Sequence, residues 1–515
     1  MMSPKVTNTF IFLILVALSL VIFANSMTKP LGRDEQMYCT AGILLAQGKM
    51  IYRDFSYPSQ MPYHPLLYAA LFRILNTTHF LLVARIFSCL CDILVAVCIV
   101  GIYWRIFSSF PISAMLLSTS AAVLYVFNPF VDYANGFAWN NDVVILCVVL
   151  SFWLFISIDF KKKSKYWRIA VIAALLTLAT CMRITVALVQ LLFFAVLLTQ
   201  PADSIKQKFK TILPFLIAAA VVAIWPVWTI ALAPRAFFLN LFRISILNNE
   251  WVHQTGMFHS KLDIIFLFLT TRGCFVLILI AIYLCLTVAW KRRKLTISNA
   301  PNLLLAVLLA FVFFIIALTM PITLEQHLAM PVPFIVISFV FPLLYLRKLN
   351  SDTGPNKHFE VARVLVIACA VAAVASYPLV LHRVPKLFCP QSWTPICLHR
   401  ISEDIAEKTK SPKLILTLAP LYALEGGCDI YTEFSSGPFV YRVADYLFPS
   451  DRRLTHTVGP GNLRDLVEKS PPSAVILGVE FEFLEAPLFQ MTVQPDRKNW
   501  EERIYENGPL VYFRR

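Results

Sequence analysis

A chain of 515 residues, 58% of them hydrophobic and with a mean hydropathy of +0.70, is not an ordinary soluble protein, whose apolar share is about 45–50%. The formal charge of +15 does not point to nucleic acid either. Beyond residue 385 acids and bases nearly cancel, and the excess lies in short loops between apolar runs, where it reports topology.

The composition is that of a polytopic α-helical membrane protein. A helix needs roughly 20 apolar residues to cross a bilayer, and eleven runs come near that: 8–26, 80–104, 112–130, 142–159, 167–181, 184–199, 211–232, 263–290, 302–319, 329–346 and 360–381. The first has only Lys5 ahead of it and no clean small-residue cleavage site after it, so it reads as a retained helix rather than a signal peptide. Four loops carry the basic excess: Lys161, Lys162, Lys163, Lys165 and Arg168; Lys206, Lys208 and Lys210; Lys291, Arg292, Arg293 and Lys294; Arg347, Lys348 and Lys357. With eleven spans all four fall on one side. That side is then cytoplasmic together with the N-terminus, and the loop 28–79 and the tail beyond 382 lie outside.

Within the loop 28–79, Gly32-Arg33-Asp34-Glu35 sets two adjacent carboxylates where headgroups meet water, a costly place for charge unless something uses or pairs it. Tyr38, Ile43, Leu44 and Leu45 follow at helical spacing up to Gly48. Asp34 is expected to open a helix lying on the membrane surface; the plain alternative makes Asp34 an N-cap and Glu35 a first-turn charge. The segment 65–75, apolar but half a span long, reads as a second surface helix or a re-entrant piece.

The runs 167–181 and 184–199 are short for full crossings, so their apex, Thr180-Cys181-Met182-Arg183, is expected below the outer surface. A guanidinium there suits a lipid phosphate, and equally suits a carboxylate or the interface. Asp132 lies in the outer loop 131–141, and Asp142 either caps the next helix or faces the same outer hollow as Asp34. The loop 233–262 mixes Arg235, Arg243, Glu250, Trp251, His253, His259 and Lys261, a set suited to sugars or headgroups and as often merely solvated. Glu325 and His327 stand at the mouth of a helix whose first turn holds Pro331 and Pro333, which fixes its entry angle; His327 has the chemistry to donate to a phosphate or orient a carboxylate. Among the cysteines, Cys39, Cys389, Cys397 and Cys428 fall in outer segments and leave room for one or two disulfides, with no spacing that fixes a pairing.

The tail 385–515 reads as a small extracytoplasmic α/β domain set apart from a membrane domain at 1–384. Helical periodicity at 401–409 precedes a strand at 413–418, a helix at 462–469 leads into a strand at 473–479, and the end folds as a hairpin at Asn507-Gly508. No phosphate-binding glycine fingerprint, P-loop or zinc-type cysteine pairing is present.

The order of these motifs resembles the C-type (GT-C) integral-membrane glycosyltransferases that use polyprenyl-phosphate sugars, in particular the bacterial relatives of protein O-mannosyltransferases and of the lipid A aminoarabinose transferase. Arg33-Asp34-Glu35-Gln36-Met37-Tyr38 looks like the family's D-E-x-x-Y stretch, and His64-Pro65-Leu66-Leu67-Tyr68 is similar to its P-P-L-x-Y entry. Asp142 falls where the family has an aspartate near the second outer loop, and His327 with Pro331 and Pro333 resembles its late double-proline segment. Relatives often carry a lysine before the P-P-L stretch, where Tyr63 stands here.

The resemblance implies transfer of a sugar at the outer face of the plasma (inner) membrane, with inversion, from a polyprenyl-phosphate donor to a glycan, glycolipid or protein acceptor. Asp34 would be the base and Glu35 its catalytic companion. Arg183 and His327 would support the leaving phosphate, and Asp142, Glu325, Tyr63 and His64 would contact substrate. A monophosphate carrier implies no required metal or other cofactor. The rival reading is a multi-pass transporter or lipid flippase, for which Arg85 and Asp92, seven apart on one face of the second span, are the best sequence evidence.

Overall fold

The structure is a computed structural model that describes residues 4–200, 204–258, 260–290, 300–320, 322, 324–351, 358–506 and 508–515. Lys291, Arg292, Arg293, Lys294, Lys357, His259 and Asn507, singled out above, lie outside the described residues.

The apolar runs are helical, in lengths that vary. Among the described residues six helices are long and apolar enough to cross a membrane: Lys5–Thr28, Phe80–Ile106, Ile205–Leu232, Asn302–Thr319, Glu325–Lys348 and Arg363–Phe388. Lys261–Thr270 and Cys274–Ala289, bent by 73°, make a seventh if they form one span. Pro111–Val126, Asn141–Ile156 and Ile184–Leu198 are shorter apolar helices, and Lys165–Thr180 is of similar length. The run expected at 112–130 is broken because Asn128 starts a new helix, Pro129–Ala134, accepting from the Phe130 amide at 3.0 Å.

The segment 28–79, expected to be the first outer loop, forms two helices, Arg33–Ala46 and Tyr63–Leu75, packed on each other. Two expectations are corrected here. Gly32, not Asp34, is the N-cap, and Glu35 takes the third-residue capping role by accepting from the Gly32 amide at 2.7 Å. The first helix also does not lie on lipid: its residues from Glu35 to Leu44 are buried in protein, which explains its weak amphipathic pattern. A Cβ on Gly42 would stand 2.7 Å from the Tyr68 Cβ, in the backbone-proximal part of a side chain that cannot swing away. Gly42→Ala should therefore lower stability by about 1–3 kcal/mol despite its better helix propensity, read as a lower melting temperature in detergent.

The C-terminal part carries a five-stranded sheet in the order β2-β1-β3-β5-β4, where β1 is Leu414–Thr417, β2 Asp429–Ile430, β3 Ala474–Leu477, β4 Trp500–Ile504 and β5 Leu510–Arg514. β1 runs parallel to β2 and β3, while β5 is antiparallel to β3 and β4. Both buried-strand runs read from the sequence are present, as β1 and β3, because neither face reaches water.

This part does not hang free. Leu398, Ile405, Ile415 and Val511 belong to the same continuous core as Tyr38 and Leu44 of the first outer loop. Ser436 Oγ donates to the Ser56 carbonyl at 2.7 Å, and Arg33 pairs with Glu480 at 2.8 Å. The outer loop is thus clamped between the helix ends and the C-terminal part, which sets the geometry of the site.

Candidate active site

Where the first outer loop, the stretch after Leu232, the start of the Glu325–Lys348 helix and the C-terminal part meet, they enclose a cavity of about 330 Å³. Asp34, Arg183, His327 and Arg442 line it, with Ser59, Gln60, Ser245, Asn248 and Gln326 among the polar groups between them. Met37, Ile184, Leu241, Phe242, Ile322 and Phe439 form much of the apolar wall. A mostly apolar hollow with a few converging charges is the usual form of a small-molecule site.

Asp34 reaches this hollow from the second position of its helix, where Oδ2 accepts from Gln326 Nε2 at 3.2 Å. Desolvation pushes its pKa up, and the Gln326 hydrogen bond and the charges of Arg442, Arg183 and Arg33 oppose that. A carboxylate held this way is poised nearer neutrality than a surface aspartate, as a general base requires.

Arg183 sits at the apex of the two short helices, 9% exposed, and donates to Asn141 Oδ1. The apex is pinned beneath the first outer loop: the Met61 amide donates to the Met182 carbonyl at 3.4 Å and the Tyr63 amide to the Cys181 carbonyl at 3.1 Å. His327 lies in a short turn at the mouth of its helix, 9% exposed, and its Nδ1 has no hydrogen-bond partner among the described residues. At the cavity wall, a ring nitrogen without a protein partner is free to take one from a ligand.

Arg442 is the cation that sequence reasoning missed. Its Nε donates to Asn248 Oδ1 at 2.6 Å, and its guanidinium stacks 4.5 Å from the Trp251 ring centre. Burial lowers its pKa to about 10, which leaves it charged at neutral pH. Nothing local in the tail marks Arg442, since its partners come from a segment some 190 positions earlier. Gln326 was also missed, standing uncharged between Glu325 and His327. Outside the cavity lining, Arg33 lies 4.2 Å over the Phe481 ring, and burial raises the pKa of its partner Glu480 to about 7.

No family model matches the sequence, and comparison with curated proteins gives no match. Solved structures do match over the whole chain. ArnT from Cupriavidus metallidurans bound to undecaprenyl phosphate superposes with a TM-score of 0.59 at 13% identity, covering 97% of each chain; its apo form gives 0.60 at 13%, covering 98% of each. The chain shares its fold with ArnT. The oligosaccharyltransferase of Archaeoglobus fulgidus in the apo form matches less fully, at TM-score 0.53 and 12% identity over 98% of this chain and 74% of that one. The fold expected from the motifs agrees with this likeness, which extends through the C-terminal part.

Within this ArnT-like fold the other sequence-nominated residues stand outside the cavity lining. Glu35 is wholly buried and bound to Arg85, with the Ala138 amide donating to Oε2 at 3.0 Å. Its neighbour Asp34 points into the cavity, so the adjacent pair is divided between two tasks. Asp142 is 1% exposed and accepts from the Gly136 amide at 3.4 Å. Glu325 is half-buried and leaves the lining to its two successors. The Tyr63 hydroxyl donates to the Val222 carbonyl, and its ring lies 5.5 Å from Trp225. His64 is fully buried between Tyr38 and Tyr68, with centroids at 4.9 and 4.4 Å; burial lowers its pKa to about 3, which leaves a neutral ring that packs.

Two further observations bear on the rival reading and on the cysteines. Arg85 and Asp92 do not pair: Arg85 is taken by Glu35, while Asp92 accepts from Tyr125 at 2.8 Å and from Asn135 at 2.5 Å. Fixed partners of this kind do not make an ion path. All twelve cysteines are free thiols, Cys39, Cys389, Cys397 and Cys428 included.

Proposed function

We propose that this chain is a glycosyltransferase that moves a sugar from a polyprenyl-phosphate carrier to an acceptor hydroxyl or amine at the outer membrane–water boundary. The observation that carries this reading is the convergence of one carboxylate, Asp34, with two guanidiniums, Arg183 and Arg442, and the free imidazole nitrogen of His327 around one cavity. A transporter needs no such division into a base and a phosphate cradle. ArnT has been seen bound to undecaprenyl phosphate and the archaeal oligosaccharyltransferase AglB with dolichol phosphate, which supports a lipid-phosphate donor here.

In the reaction Asp34 takes the acceptor proton as the acceptor atom bonds to the anomeric carbon. The bond from that carbon to the phosphate oxygen breaks on the opposite face, which inverts the configuration, and its electron pair leaves with the polyprenyl phosphate. Arg183 and Arg442 compensate the charge that grows on the leaving group, and His327 supplies a further hydrogen bond. Two fixed cations facing a monophosphate make a catalytic metal unnecessary in this scheme. The polar groups of the lining suit a pentose or hexose, and the apolar wall suits the first part of its lipid carrier.

The same reading takes the four shorter helices and the bent pair as crossings, which gives eleven spans. The basic loops and the N-terminus are then cytoplasmic, and the residues from 385 onward form an outer domain at the plasma membrane.

The test is purified protein in detergent or nanodiscs with labelled polyprenyl-phosphate sugar. Release of free lipid phosphate together with acceptor labelling supports the reading; flip of intact donor across a vesicle without bond cleavage sinks it in favour of a flippase. Arg442→Ala should lower kcat/KM by ~10²-fold, the cost of one well-placed donor to developing charge. Arg442→Lys should recover only part of that, since a lysine keeps the charge without the planar fork.

A further inference from the structure

Away from the cavity, His79, His399 and Glu425 bring two imidazoles and a carboxylate together from distant parts of the chain. His79 precedes the Phe80–Ile106 helix at the end of the first outer loop, His399 lies in the Thr394–Lys408 helix, and Glu425 follows the short Leu421–Leu424 helix. His399 Nδ1 is 2.9 Å from Glu425 Oε2. The His79 ring faces the His399 ring at a centroid separation of 3.7 Å.

Each group is oriented by its surroundings. Glu425 is 1% exposed, and the Leu81 amide donates to its Oε1 at 2.6 Å, which turns Oε2 toward the imidazoles. His399 Nε2 stands 3.3 Å from Glu403 Oε1, an outer carboxylate of the kind that fixes a metal-binding histidine by its far nitrogen. A histidine–glutamate pair accounts for His399 and Glu425 but leaves His79 unexplained: its Nδ1 is buried and has no hydrogen-bond partner among the described residues. A buried polar atom left unpaired costs about 1–3 kcal/mol, and the two imidazoles, tilted by 36° to each other beside one carboxylate, are placed to share a cation.

We propose that His79, His399 and Glu425 bind a zinc ion that ties the first outer loop to the C-terminal part. Two imidazole nitrogens and one carboxylate oxygen are a borderline-hard donor set that suits zinc better than calcium or magnesium, whose ligands are oxygens. Ligands at zinc's usual bond lengths lie roughly 3.4 Å apart in a tetrahedral site, and the ligand atoms here are all within 4.8 Å of one another. Modest side-chain rotation closes the difference, and a water takes the fourth position. The site lies on the opposite end of the loop from Asp34, so the ion joins the segment that carries Asp34 to the part that carries Arg442. Its role is to hold those two in register, not to touch substrate.

Tag-free protein purified without chelator should contain close to one zinc per chain by mass spectrometry of the metal. Zinc should raise the melting temperature of chelator-treated protein, and cobalt should give the visible absorption of a tetrahedral site. His79→Ala, at a half-buried position whose loss leaves the His399–Glu425 pair intact, should fold and lose both the zinc and the zinc-dependent shift in melting. His79→Cys, which keeps a zinc ligand, should restore them. A parent protein with no zinc and no response to zinc or chelator overturns the proposal, as does a His79→Ala protein that holds as much zinc as the parent.

Discussion

Asp34→Asn will insert and fold like the parent protein yet transfer sugar ~10²–10⁴-fold more slowly, the usual contribution of a positioned general base. The amide fills the same space and keeps the contact with Gln326, so lost packing does not enter. The pH profile separates this from a binding role. Because burial raises the Asp34 pKa, the carboxyl is protonated at acid pH and cannot accept the acceptor proton. The parent rate should therefore fall with decreasing pH through a midpoint above the ordinary carboxylate range. In Asp34→Asn that limb should vanish while the affinity for the lipid donor stays near the parental value. An unchanged rate, or an unchanged acid limb, sinks the base assignment.

Much of the architecture was legible because membrane insertion writes itself into composition: the apolar runs must be helical where backbone groups have no water to bind. The two buried strands β1 and β3 were readable for a related reason, as short unbroken apolar runs. The crossing count was harder to read, since the helices near 112–126, 141–156 and 184–198 are shorter than a bilayer and one run is broken at Asn128.

The cavity was legible in half. Asp34, Arg183 and His327 were nominated because charged residues at helix ends near lipid are costly and so few in number. Arg442 and Gln326 were not, because a residue in a water-exposed tail and a neutral amide carry no such cost. Glu35 and Asp142, nominated for the same physical reason as Asp34, stand outside the lining: the cost of burial shows that a charge has a partner, and does not say whether the partner is substrate or protein. Arg85 settles the matter for Glu35, and that lay fifty positions away.

The pair formed by Glu35 and Arg85 predicts the largest effect on stability. Both side chains are fully buried. Arg85 donates to Glu35 Oε2 at 3.0 Å and Oε1 at 2.5 Å, to the carbonyls of Ser26 and Lys29 at 2.9 Å each and to that of Pro30 at 2.8 Å. Glu35 in return accepts from the amides of Gly32 and Ala138. One guanidinium thereby joins the end of the first helix, the start of the loop helix and the second span, and its partner adds the second outer loop. Removing one member strands the other charge in a dry site, which costs about 3–5 kcal/mol. Arg85→Met should accordingly melt far below the parent in detergent, and Glu35→Gln, which keeps the neutral hydrogen bonds, should fall between. The double variant Glu35→Gln with Arg85→Met should recover part of the loss, because no charge is then left alone. Folded Glu35→Gln should retain the acid limb of the parental pH profile, since its carboxyl faces Arg85 and not the cavity. If instead it loses transfer as fully as Asp34→Asn while melting like the parent, the two adjacent carboxylates share the chemistry and the division of labour between them is wrong.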